Sequence, residues 1–208
     1  MLKRVVIIGA GDQGAVAESC LGRQKDLEFV GFLDDSSSCA GSRKIVGKVS
    51  DFGKFRDCYF HVAIGKNPPR RRIFELLKES KCNFINLAHP RAFVEDGVSL
   101  GENVFVGANA YVNVGSSIGD NTIINNGCVI EHDNLVGKHC HLTPGVVTGG
   151  GVKIGDSVFV GLRSVIRDHI ELGEGSFIGM GSVVVKDVPA GVMVYNRLEL
   201  ITKDNKNI

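Results

Sequence analysis

The chain has 208 residues, 23% of them charged, with a formal net charge of +1. That near-neutral balance gives no basis for a nucleic-acid partner, and no apolar stretch is long enough to insert in a bilayer. Six cysteines, Cys20, Cys39, Cys58, Cys82, Cys128 and Cys140, show no CxxC spacing, which predicts core thiols in a reducing, cytoplasmic setting and no metal site.

The first element is a compact apolar strand, Lys3–Ile8, reached from a short basic start that has no small-residue cleavage site of a secretory signal. Gly9-Ala10-Gly11-Asp12-Gln13-Gly14 follows it and opens a helix from Ala15 to about Lys25. Phe29–Leu33 reads as a second strand ending in Asp34-Asp35, and Tyr59–Ile64 as another, ending in Gly65-Lys66-Asn67. Pro68 and Pro69 open the next helix, with Arg70, Arg71 and Arg72 early and Ile73, Phe74, Leu76 and Leu77 on its apolar side. Asn83–Leu87 supplies a final short strand. Strands alternating with helices predict an abbreviated Rossmann-like α/β domain over residues 1–90, with ligands at the strand ends.

The glycine loop lies after a strand and before a helix, where its amides could receive a phosphate or diphosphate. Asp34 and Asp35 could hold a ribose, but no second mononucleotide-binding half follows, which weighs against a complete dinucleotide site. A nucleotide-sugar site and a purely structural tight turn both remain open.

From Leu100 onward the pattern changes to a period of six. Leu100, Val106, Val112, Ile118, Ile124, Ile130, Val136 and Leu142 begin an aliphatic column that continues to Val184 and is broken only at Thr148. Glycine often takes the second place of the hexad, and the fifth is small or β-branched, as at Ala110, Ser116, Thr122, Cys128 and Cys140. Strand and helix periods would both smear such a column. A parallel β-helix with three six-residue sides explains it, with eighteen residues per coil, about five coils and a height of roughly 24 Å at the usual strand spacing. This second domain is expected over residues 91–195, with a tail at 196–208.

Asn125, Glu131, His132, Asp133, His139 and His141 interrupt the plain coils. His132 and Asp133 occupy the third and fourth places of a hexad, so they should project from a corner rather than fill the core. An imidazole beside a carboxylate can accept a proton near neutral pH, with Asp133 or Glu131 as the orienting acid; a solvated turn is the plainer alternative. His141 lies nine residues on, half a coil, so it should point from a different side and meet His132 only across the interface of a threefold assembly. His139 reads as an exposed turn residue, and His61 as part of the sheet.

Taken together, Gly9–Gly14, Phe32-Leu33-Asp34-Asp35, Ala63-Ile64-Gly65-Lys66-Asn67, Asn125 and Val129-Ile130-Glu131-His132-Asp133 with the later hexads resemble the bacterial hexapeptide sugar acyltransferases. These are related to sialic acid O-acetyltransferase and to the UDP-4-amino-sugar N-acetyltransferase of bacillosamine synthesis. The resemblance implies a left-handed β-helix, a homotrimer, and acetyl-CoA as acetyl donor held between subunits. It assigns the nucleotide-linked amino sugar to Gly9, Gly11, Gln13, Gly14, Asp34, Asp35, Gly65, Lys66, Asn67, Asn125 and Glu131. It makes His132 the general base with Asp133 beside it, and places His141 at the acetyl thioester and Gly149, Gly161 and Gly179 along the coenzyme. Two departures stand out: Gln13 replaces a histidine common in relatives, and Gly191-Val192-Met193-Val194-Tyr195-Asn196-Arg197 replaces a glycine-valine-proline segment. The implied activity is N-acetylation of a nucleotide-linked amino sugar in surface glycan synthesis. O-acetylation of sialic acid or another sugar hydroxyl, and a non-enzymatic nucleotide-binding scaffold, are the alternatives. A three-histidine metalloenzyme of the γ-carbonic anhydrase type is disfavoured, because His132, His139 and His141 do not converge.

Overall fold

The computed structural model describes residues 2–36 and 43–196; Cys39, Arg197 and nearly all of the expected tail lie outside them. The N-terminal domain contains β1 (Lys3–Ile8), α1 (Asp12–Leu21), β2 (Leu27–Leu33), β3 (Ile45–Gly47), β4 (Tyr59–Val62), α2 (Asn67–Glu79) and β5 (Asn83–Phe84). Its sheet is parallel, in the order β3-β2-β1-β4-β5. Alternation along β1 divides the core, since Val5 and Ile7 join Ala17, Cys20 and Leu21 of α1 while Val6 and Ile8 join Ile73, Phe74 and Leu77 of α2.

The first helix begins earlier than the sequence suggested, inside the glycine loop, with Gly11 as its extended N-cap. Its last residue is Leu21, and the C-cap Gly22 keeps a right-handed backbone and still donates its N–H to the Glu18 carbonyl. On α2 the buried stripe is Arg70, Ile73, Phe74 and Leu77, a spacing of i, i+3, i+4 and i+7 that leaves Leu76 exposed, contrary to expectation. An arginine therefore takes an apolar position, for reasons given below.

The C-terminal domain is a three-sided parallel β-helix. Its first face carries six strands, from Phe93–Val94 to Val183–Val184; its second carries five, from Ser99–Leu100 to Glu171–Leu172. The third carries seven, from Leu87–Ala88 to Met193–Val194. Partners are eighteen residues apart, as in Tyr111↔Val129, Ser117↔Leu135 and Ile123↔His141. The aliphatic column and the small fifth places fill one interior cluster that includes Cys128 and Cys140. Burial pushes these two thiols up, to about 11 and about 12, so they are inert core groups.

Two sequence expectations change. Asn83–Leu87 is not one strand: Asn83–Phe84 pairs with β4, whereas Leu87–Ala88 pairs with Phe105–Val106 as the first strand of the prism. The period also slips at the far end, because Leu172 bridges Val188 and Ile178 pairs with Val194, spacings of sixteen rather than eighteen.

Each corner turns through a left-handed residue at the fourth place of the hexad. Asn103, Asn109, Asn121, Asp133, His139, Ser157, Arg163 and His169 all have φ between 55° and 60°, and glycines take the corresponding places elsewhere. Along one edge this column docks the N-terminal domain. Asn103 accepts from the Val62 N–H (2.7 Å) and donates to Asn121 Oδ1 (2.8 Å), and Asn121 Nδ2 donates to His139 Nδ1 (2.8 Å). His139 Nε2 then reaches Glu75 of α2 at 3.0 Å. His139 is thus buried in an interdomain ladder, not exposed on a turn, because α2 covers its corner.

Candidate active site

His132 and Asp133 sit on the corner that follows Val129–Ile130, away from the docked domain. His132 Nδ1 and Asp133 Oδ2 are 2.8 Å apart, with the two side chains 54% and 70% exposed. The carboxylate hydrogen bond raises the imidazole above its ordinary value by stabilising the protonated ring. Asp133 takes the left-handed corner backbone, with φ 58°.

Neighbouring coils hold this pair. A Cβ on Gly150, one coil above, would lie 2.5 Å from His132 Cε1 and Nε2, and one on Gly115, one coil below, would overlap the Asp133 carboxylate. Asn134 pins the backbone from inside, donating to the carbonyls of Glu131 and Gly149, both at 2.8 Å. The sole polar member of the aliphatic column, Thr148, accepts the Glu131 N–H at 3.3 Å. Glu131 itself accepts from Asn113 Nδ2 at 2.8 Å, which leaves Asp133 as the carboxylate that faces the imidazole.

His141 occupies a different setting on the third face. A cleft of about 930 Å³ opens there between the domains, lined by Gln13, Lys66, Arg71, His141, Phe159 and Phe177 among others. The His141 ring meets Phe159 edge-on at 5.4 Å, and Phe159 stacks on Phe177 at 4.8 Å. Its Nδ1 lies 2.8 Å from the Gly65 carbonyl and its Nε2 3.2 Å from Asn125 Nδ2. Burial, helped by the nearby Arg70 charge, pushes His141 down to about 4, so the ring is neutral.

The glycine loop is positioned by close packing. Gly9 has φ +98°, and an added Cβ would lie 2.8 Å from Ile64 Cγ1; on Gly14 it would overlap the Gly9 carbonyl. Gly11 has open space on its Cβ side. Asp34 braces the loop, accepting from the Ala10 and Ser36 amides at 2.6 Å, and Asp35 accepts from Val49 N at 2.9 Å. Asn67 lines the cleft but spends its amide on Ser157, Val158 and Arg70. Lys66 is exposed at the cleft, and Gln13 Nε2 is buried there without a partner among the described residues. Gly149 and Gly161 each face the next coil, with an added Cβ 2.5 Å from the amides of Asp168 and Met180; on Gly179 it would be 2.8 Å from Tyr195 Cβ. Coil stacking alone therefore requires small residues at all three.

The cleft and Arg70 went unseen in the sequence, since both arise from how the domains dock. Arg70 did leave one trace: it stands on the apolar stripe of α2. Among the described residues no group of three or more His, Cys, Asp or Glu could hold a metal ion, and no helix is long and apolar enough to cross a membrane.

A prism of eighteen-residue coils with six-residue sides behind a Rossmann-like domain, with a histidine-carboxylate pair on its corner, defines the hexapeptide-repeat acyltransferase class. Residues 4–77 match the PglD N-terminal domain, and residues 97–132 and 151–186 match the hexapeptide repeat of succinyl-transferase. The acetyltransferase domain of PglB from Neisseria gonorrhoeae FA1090, in complex with acetyl coenzyme A, is 29% identical with a TM-score of 0.89, over 94% of this chain and 97% of that one. A variant of perosamine N-acetyltransferase from Caulobacter crescentus, in complex with CoA and GDP-perosamine, is 30% identical with a TM-score of 0.88, over 98% and 99% of the two chains. UDP-N-acetylbacillosamine N-acetyltransferase of Bacillus subtilis (strain 168) is 31% identical over 113 residues, which is 51% of this chain and 52% of that protein. The match thus spans about half the length of this curated relative. The chain belongs to the hexapeptide-repeat acetyltransferase family related to UDP-amino-sugar and perosamine N-acetyltransferases, and its β-helix is of the left-handed type.

Proposed function

We propose that this protein transfers the acetyl group of acetyl-CoA to the amine of a nucleotide-linked amino sugar, in cytoplasmic synthesis of a surface glycan. The observation that carries this reading is the His132–Asp133 pair, aligned at 2.8 Å on an open corner with its imidazole poised for proton transfer. The neutral amine attacks the thioester carbonyl, and His132 takes the proton from nitrogen as the C–N bond forms. The C–S bond then breaks, and the proton passes to the departing thiolate. Holding both substrates in one site supplies the proximity part of the acceleration.

The cleft suits the acceptor, since Lys66 and Arg71 offer charge to a diphosphate and the glycine loop borders it. His132 and His141 stand on different sides of one prism, so a single chain does not join them in one site. A trimer would. An apolar stripe of Phe93, Tyr111, Val129, Val147, Val165 and Val183 along the first face supports that assembly, with Phe93, Val165 and Val183 strongly exposed.

Assaying UDP-, GDP-, TDP- and CMP-linked amino and hydroxy sugars with acetyl-CoA, following CoA release and acetylated product, tests the reading. Acetylation of a hydroxyl sugar but of no amine would keep the site and select an O-acetyltransferase. Light scattering should give three times the 22.3 kDa chain mass; a fully active monomer would defeat the shared site.

A further inference from the structure

Arg70 is wholly buried, yet every acceptor it meets is neutral. Its Nε donates to the Asn121 carbonyl at 3.0 Å, and Nη1 to the carbonyls of Ile64 (2.9 Å) and Gly65 (3.1 Å). Nη2 donates to Asn67 Oδ1 and to the carbonyls of His139 and Cys140, at 2.8, 2.8 and 2.9 Å. One planar fork thus joins α2, the 64–65 loop and two corners of the prism, with all its N–H groups satisfied. Taking a guanidinium out of water is costly without a carboxylate to offset it, and a ladder of asparagines already docks the domains. That cost points to a role beyond docking.

The Gly65 carbonyl held by Arg70 is the same one that meets His141 Nδ1 at 2.8 Å. A carbonyl only accepts, so Nδ1 carries a proton. At the other end of the ring, Asn125 Oδ1 already accepts the Asn126 N–H at 2.8 Å, which fixes the amide with Nδ2 toward His141 Nε2. Nε2 must then be the acceptor, and both ends of the ring specify one neutral tautomer. Protonating Nε2 would set two donors face to face.

We propose that Arg70 is a positioning residue for the cleft: by fixing the Gly65 carbonyl against the prism it locks His141 as the neutral tautomer protonated on Nδ1. The consequence for turnover rests on the acetyl-transfer reading above; the tautomer does not. The charged groups around His141 are Arg70 behind Gly65, and Lys66, Arg71 and Asp12 in the cleft, while its contacts Asn125 and Phe159 are uncharged.

Labelling the full chain with ring-15N histidine, and assigning His141 by its loss in His141→Gln, reads this state directly. The wild type should show one neutral tautomer with its proton on Nδ1, unchanged between about pH 8 and about pH 5.5. Arg70→Lys keeps a charge but lacks the planar fork. It should give a ring that exchanges between tautomers and titrates, with kcat lowered on the order of tenfold or more. A wild-type His141 that carries its proton on Nε2, or gains a second proton near pH 6.5, overturns the proposal whether or not the variant folds. So does a folded Arg70→Lys whose His141 signal and pH profile match the wild type. If the tautomer behaves as stated but the wild type acetylates no nucleotide-linked amino sugar, the functional reading fails and the positioning stands.

Discussion

His132 and His141 belong to adjacent stretches of one repeat, yet the fold gives them opposite environments. The first stands in solvent with a carboxylate partner whose hydrogen bond raises the imidazole above its ordinary value. The second is buried in the wall of the cleft between two domains, near an arginine, and is pushed down to about 4. A regular coil supplies no such difference by itself. It comes from what covers each side: among the described residues the His132 side chain stays exposed, whereas the 64–70 segment lies over the His141 face. One histidine is thus suited to exchanging a proton and the other to holding a fixed hydrogen-bond pattern.

The sharpest way to break this contrast is His132→Ala, which should lower turnover by roughly 10²–10⁴-fold, with assembly unchanged by light scattering. Wild-type turnover in that variant would remove the proton-transfer role altogether. Gly150→Ala tests the same histidine without touching its chemistry. The added methyl group would push the ring aside, and a displacement near 1 Å can cost on the order of 10²-fold. Retained kcat with an unaltered fold would show that the ring has freedom that the packing does not suggest.

Asp133→Asn should act more gently and chiefly on pH dependence. Because the carboxylate raises His132, its loss should move the acid limb of the kcat/KM profile to lower pH while reducing the maximum less than His132→Ala does. An unmoved limb would transfer the orienting role to Glu131. The smallest effect concerns stability. His61 and His141 are each pushed from 6.5 down to about 4, chiefly by burial. Between those values the unfolded chain takes up protons that the folded one refuses, so stability is full above about pH 6.5 and falls toward pH 4. Thermal melting across that window should show the decline, and it should be shallower in a folded His141→Gln variant.

The hexad was legible because every coil repeats the same core, and a few aliphatic residues already reveal the period. The corner rule was present too: asparagine, aspartate, histidine and glycine crowd the fourth place, where a left-handed backbone selects them. The place of Asp133 in that column explains its geometry better than its nearness to His132 in sequence does. His139 was misread, and Arg70 missed, for a shared reason. Each looks like a surface residue within its own domain and is buried only by the other, so no single stretch of sequence shows its partners. The split at Leu87 was hidden similarly, since an apolar residue suits the end of one sheet and the start of the next equally well.

The shortened closing turn sets the edge that the described coils present at the upper rim. A stack of parallel coils leaves a rim of backbone donors and acceptors at each end, able to template further coil from another chain. At the lower rim, α1 lies over the first strand, and Gln24 Nε2 donates to the Ala88 carbonyl at 3.2 Å. At the upper rim the spacing drops from eighteen to sixteen, the Asp187 carboxylate takes the Glu171 N–H at 2.9 Å, and Pro189 brings no N–H of its own. An incoming coil of regular length would find itself out of step there. Among the described residues, both rims of the prism are thus blunted, the lower by a helix and the upper by a change of step, so neither offers a regular edge for another coil to extend.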